Sequence, residues 1–173
     1  VLLSNAMSTL LLATGDFQEA LDFCEDNLEV MKKNFGEYHN MTATVYSNMS
    51  YVYSRQGEYQ QALDCCKKSL KINEKVFGSC HAAVVLSCSN MIEICSNLGE
   101  YQQALEYFEK ALEISKMVFV EDAQMAVLYS NGGTICVRLG DLQQSLGYYE
   151  KALERAKKAY PKEHNVILTI YES

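Results

Sequence analysis

One glycine returns along this chain at an almost fixed interval, and the residues after it return with it. Gly15-Asp16-Phe17-Gln18-Glu19-Ala20-Leu21, Gly57-Glu58-Tyr59-Gln60-Gln61-Ala62-Leu63, Gly99-Glu100-Tyr101-Gln102-Gln103-Ala104-Leu105 and Gly140-Asp141-Leu142-Gln143-Gln144-Ser145-Leu146 lie 42, 42 and 41 residues apart. A second mark keeps the same interval: Phe35-Gly36 before His39, Phe77-Gly78 before His81, Phe119 before Ala123, and Tyr160-Pro161 before His164. Two independent marks on one ruler define a repeat array, in which each unit buries its apolar face only against its neighbours.

Within a unit, one helix leads into the glycine and a second leaves it. The spacing predicts a helix from about His39 to Gln56, with Val45, Met49, Val52 and Tyr53 on one face. Gly57 tolerates the left-handed conformation that ends helices, and a second helix follows from about Glu58 to Val76. Acids gather at the starts of these second helices (Asp16, Glu19, Glu58, Glu100, Asp141) and lysines at their ends (Lys32, Lys33, Lys71, Lys75, Lys116, Lys157, Lys158), which suits the helix dipole. Ala20, Ala62, Ala104 and Ser145 follow each glycine by five, while Ser8, Ser50 and Gly133 precede it by seven; Ile92 breaks that second series. Small residues at these points let paired helices approach closely. The units are expected at 1–36 (truncated at its start), 37–78, 79–120 and 121–161, with 162–173 beginning a fifth hairpin.

Tyr46, Met49, Ser50, Tyr53, Ala62 and Cys66 carry a resemblance to the tetratricopeptide repeat (TPR) family, whose first helix has a small residue three before a tyrosine and whose second has an alanine four before an aromatic. The usual unit of that family is about 34 residues. The longer unit here, with Val76-Phe77-Gly78-Ser79-Cys80-His81 between hairpins, resembles the kinesin light chain subclass. The resemblance implies an all-α solenoid, a right-handed superhelix of antiparallel hairpins. It also implies a concave groove that binds extended peptides, since kinesin light chains are cargo adaptors. The same repeat serves many unrelated scaffolds, so fold analogy does not name a partner.

In such a superhelix the first helix of each unit lines the groove. Counting back from the glycines, the groove-facing residues are Asn5, Thr9 and Leu12; then Thr44, Ser47, Asn48, Tyr51 and Arg55; then Leu86, Ser89, Asn90, Glu93 and Asn97; then Val127, Ser130, Asn131, Thr134 and Arg138. Asn48, Asn90 and Asn131 share one register, nine before the glycine. An amide offers both donor and acceptor to the backbone of an extended peptide, although asparagine at this place can equally brace neighbouring helices. Arg55 and Arg138 can seat a ligand carboxylate or simply complement the helix dipole. These positions hold no lysine, which disfavours the chaperone-tail type of groove.

Formal charge is −7 and the pI is near 5.0, which disfavours nucleic acid or anionic lipid as the main partner. No apolar run approaches the ~18 residues of a membrane span, so a soluble chain without membrane partner is expected. Seven cysteines, an odd number, and no visible signal peptide suggest reduced thiols and a cytoplasmic setting, despite glycosylation-like patterns at Asn40-Met41-Thr42 and Asn48-Met49-Ser50. Cys24, Cys66, Cys88, Cys95 and Cys136 fall on core positions, whereas Cys65 and Cys80 are expected to be exposed. His39, His81 and His164 stand a hairpin apart, too far to share an ion. No phosphate-binding loop, nucleophile elbow or metal-binding helix motif occurs, and Asn131-Gly132-Gly133 reads as a close-packing site. The expectation is therefore no cofactor, no metal and no catalytic residue.

Two functions from different classes remain: an adaptor that binds a protein or peptide partner, and a structural array that self-associates. A regulatory arm of a larger enzyme or signalling protein is a third. Val1-Leu2-Leu3 and the apolar residues of 165–173 leave both ends of the array without a capping helix, consistent with an excerpt or with self-association.

Overall fold

A computed structural model describes residues 16–160. Seven helices occur there: α1 (Phe17–Phe35), α2 (Asn40–Gln56), α3 (Tyr59–Phe77), α4 (Ala82–Leu98), α5 (Tyr101–Ser115), α6 (Asp122–Leu139) and α7 (Leu142–Ala159). Each packs on the helix before and after it in sequence, which makes an α-solenoid. The expected positions Asn5, Ser8, Thr9, Leu12, Gly15 and His164, and the start of a fifth hairpin at 162–173, lie outside the described residues.

The recurring glycines end α2, α4 and α6 with φ of 81°, 79° and 86°. Residues after them donate back into the finished helix: Glu58 N to Tyr53 O at 2.9 Å, Glu100 N to Cys95 O at 2.8 Å, Asp141 N to Cys136 O at 2.9 Å. This closes otherwise orphaned carbonyls and turns the chain directly into the next helix. The expected acids at these starts divide. Asp16 and Asp141 cap through their side chains, whereas Glu58 and Glu100 make no such bond.

The second recurring mark has a structural reason of its own. His39 and His81 are the N-caps of α2 and α4, and their Nδ1 atoms accept from Met41 N (3.2 Å) and Ala83 N (3.1 Å). Each ring also stacks on the preceding phenylalanine, with centroids 4.8 Å apart for Phe35–His39 and 4.4 Å for Phe77–His81. The aromatic that closes one hairpin thus orients the cap of the next. Where the third unit lacks both Gly and His, α5 stops at Ser115, Glu121 caps α6 without a side-chain bond, and Phe119 stands 87% exposed.

Every core helix is covered on more than one side. Ala20, Ala62 and Ala104 are fully buried, and Ser50, at the close-approach position, donates to Ala62 O at 2.8 Å. Cys65 corrects an expectation: it is buried, 6% exposed, among Cys24, Met49 and Ile72. A helical wheel assigns α3 one inner face, yet in a solenoid α3 packs on both α2 and α4, and the adjacent Cys65 and Cys66 each point into one of those contacts. A polar seam inside this packing also escapes a hydrophobic pattern. Ser69 Oγ bonds Ala43 O (2.9 Å) and Ser47 Oγ (2.8 Å), while Asn73 Nδ2 donates to Ser87 Oγ (2.9 Å).

Between successive hairpins, large and small residues exchange places. Met49 packs in one cluster with Cys24, and Met91 in the next with Cys66. At the same registers the third contact has Gly132 and Phe108, and a Cβ built on Gly132 would lie 2.5 Å from the Phe108 ring. The pair keeps the filled volume while inverting which helix supplies it. Asn131-Gly132-Gly133 is thus a packing device, as its place inside a helical pattern suggested. Gly132→Ala is expected to lower stability by about 1–3 kcal/mol in denaturant unfolding, despite the better helix propensity of alanine. Adding Phe108→Leu should recover part of that loss, because the two changes are coupled by contact; purely additive effects would contradict this packing.

Candidate functional site

On α2, α4 and α6 one face takes little part in helix packing. Its registers hold Thr44, Leu86 and Val127; then Asn48, Asn90 and Asn131; then Tyr51, Glu93 and Thr134; then Arg55, Asn97 and Arg138. Tyr51, Leu86 and Val127 are 53%, 54% and 57% exposed, and Arg55, Glu93, Asn97, Thr134 and Arg138 are exposed as well. The asparagines are half-buried. These side chains stay accessible because the opposite faces of the same helices carry Met49, Met91 and Cys136 into the core.

Two hollows bring part of this set together. One, of about 50 Å³, is lined by Ser47, Tyr51 and Ser54 of α2 and by Asn90 and Glu93 of α4. The other, of about 340 Å³, places Asn48 and Thr44 beside Leu86 and beside Phe77 of α3. Arg55, Asn97, Asn131, Thr134 and Arg138 line neither hollow. Thr134 is tied inward, its Oγ1 lying 3.1 Å from Tyr149 OH and bonding Ser130 O at 3.2 Å. Among the described residues the amides of Asn90 and Asn131 make no hydrogen bond, and Arg55 and Arg138 pair with no carboxylate. Asn73 and Ser87 brace one hairpin against the next, and Ser69 braces α3 against α2 within its hairpin. Ser54 of α2, and Asn73 and Phe77 of α3, line these hollows without having been expected from the glycine count.

Chemistry has little foothold among the described residues. They contain no group of three or more His, Cys, Asp or Glu arranged to hold a metal, and no helix long and apolar enough to cross a membrane. Burial pushes the Cys66 thiol up to about 12, and burial likewise raises Cys88 and Cys95 to about 11. Buried thiols held this far from ionisation are poor nucleophiles. Cys80, in the loop before α4, is exposed as expected. Iodoacetamide at pH 8 should therefore alkylate Cys80 while Cys24, Cys65, Cys66, Cys88, Cys95 and Cys136 react only after unfolding. Rapid native labelling of Cys66 in a peptide map would contradict the burial described.

The profile of the tetratricopeptide repeat family matches residues 1–75 and 81–158. No curated protein sequence is similar enough to count as a match. Solved structures share the architecture. The crystal structure of BtubC (BKLC) from P. vanneervenii is 20% identical with a TM-score of 0.81, over 98% of this chain and 70% of that one. A Podosopora anserina putative kinesin light chain with nearly identical TPR-like repeats is 18% identical with a TM-score of 0.79, over 96% and 80%. A single-substitution variant of that protein gives 0.80 at 18% identity, over 96% and 79%. At such identities the likeness concerns the fold alone.

Proposed function

Since the chain belongs to the tetratricopeptide repeat family, we propose that it is a non-catalytic scaffold whose concave face, along α2, α4 and α6, holds an extended peptide segment of a partner protein. The observation that carries this reading is the state of the half-buried amides. Asn90 and Asn131 are within reach of solvent and unused by the fold among the described residues, so their donors and acceptors are available to a peptide backbone.

The geometry suits that ligand. An extended chain rises about 3.3 Å per residue, so a peptide crossing the first helices can meet the amide row once every few residues. Leu86 and Val127 flank the amide row on one side and accept apolar side chains. Arg55 and Arg138 flank it on the other and accept carboxylates, bidentately where the fork geometry allows. The groove extends over units 37–78, 79–120 and 121–161, and its side chains are Asn48, Tyr51, Arg55, Asn90, Glu93, Asn97, Asn131, Thr134 and Arg138. Low-reactivity buried thiols are compatible with a reducing, cytoplasmic setting.

An affinity pull-down with the chain, set beside the Asn48→Ala, Asn90→Ala, Asn131→Ala triple variant, identifies partners retained by the groove. For such a partner, Asn90→Ala combined with Arg138→Ala should raise Kd about 10- to 100-fold by calorimetry, with unchanged circular dichroism. Wild-type affinity in that double variant would sink the groove reading.

A further inference from the structure

The opposite, outer face of α2 carries a second feature that the peptide groove does not use. Between α1 and α3 lies a cleft of about 630 Å³, floored by Leu28, Met49, Tyr53 and Cys65. One end is acidic, with Glu25 and Asp64, and Glu29 lines the α1 wall between that end and Lys32. The other is basic, where Lys32 and Lys68 both approach the Tyr46 ring, their Nζ atoms 5.5 and 5.4 Å from its centroid.

The gaps along the array differ at these registers: Lys32 with Lys68 between α1 and α3, and Lys116 with Lys151 between α5 and α7, against an ion pair in the gap that lies between them. Between α3 and α5 the same two registers are occupied by Glu74 and Lys110, which form an ion pair of 2.7 Å across the gap. Lys32 and Lys68 replace that pair with two like charges, which cannot bridge. Among the described residues neither of them pairs with a carboxylate. The position of the Glu74 carboxylate therefore has no counterpart between α1 and α3, and the cleft stays open at that end.

We propose that this cleft is a second recognition site, taking an extended segment of a protein partner that carries a carboxylate and a cation about three residues apart around apolar side chains. The carboxylate lies between Lys32 and Lys68, where Glu74 lies in the next gap. The cation lies beside Glu25 and Asp64, and the apolar side chains cover Leu28 and Met49. Glu25 and Lys32 are seven helical residues apart, about 10 Å at ~1.5 Å per residue, which an extended chain covers in roughly three residues. Opposite charges at the two ends also fix the direction of the segment.

The test uses the whole chain with ¹³C-labelled methionine methyls and two capped probes, acetyl-Glu-Leu-Leu-Lys-amide and the neutral acetyl-Gln-Leu-Leu-Gln-amide. The charged probe should shift the Met49 methyl with an affinity on the order of millimolar, as expected for so short a peptide, and the neutral one should bind about tenfold more weakly. Lys32→Glu rebuilds the Glu74–Lys110 arrangement within this gap and should remove the response; Lys68→Gln should weaken it independently. Asn90→Ala with Arg138→Ala should leave it unchanged, which separates this site from the concave groove. Equal binding of both probes, an unaltered response in Lys32→Glu, or a Met49 shift produced by protein concentration alone, as a second copy would give, overturns the proposal.

Discussion

The backbone at Gly57, Gly99 and Gly140 passes through the left-handed region, and the rest of the array follows from that turn. A side chain there is strained whatever space surrounds it, and indeed nothing lies within 4 Å of a Cβ at these glycines. The requirement is thus conformational, not steric. With the turn set, the second helix leaves at once and must lie against the first, which brings Ser50 against Ala62 across the hairpin. The small residues at fixed distances from each glycine are the consequence of a helix pair closed this tightly.

The link between hairpins is of a different kind. Gly36 and Gly78 also take positive φ, 86° and 81°, and the ring stacking of Phe35 on His39 and of Phe77 on His81 joins helix end to helix start. The third link has neither device, and α5 is 15 residues long where α1 and α3 have 19. Packing of the same two layers survives because Phe108 and Gly132 interlock across that contact, with Phe108 fully buried. A repeat array tolerates a failed linker where the interface beneath it is well filled, since each interface is a nearest-neighbour contribution.

Period, helix bounds and most core positions were legible in the sequence because they come from local, periodic constraints. Gly57, His81 and Ala104 announce themselves by recurring. What escaped was set by contacts between helices. Cys65 sits on a helix face that is solvent-facing in a lone hairpin and interior in a stack, so no single-helix pattern marks it. Ser69 and Asn73 look like surface residues until Ala43 and Ser87 are brought against them from neighbouring helices. Likewise the count from the glycines named first-helix residues, while Phe77 and Asn73 of α3 line the hollow beside Asn48.

Helix α2 divides two surfaces of different chemical character, and the difference has a physical origin. The inner face shows amides, hydroxyls and a few isolated charges, because it lies across the middles of the first helices, away from helix ends. The outer cleft runs along second helices whose last turns favour cations, so Lys32 belongs where the dipole places it. An acid one gap further on, Glu74, neutralises Lys110 and closes the space, whereas Lys32 meets Lys68 and leaves it open. The residue type at this register therefore decides whether an ion pair spans the gap between outer helices. Because adjacent units share the backbone design and differ in such side chains, recognition can change from unit to unit without disturbing the packing that the glycines and alanines hold in place.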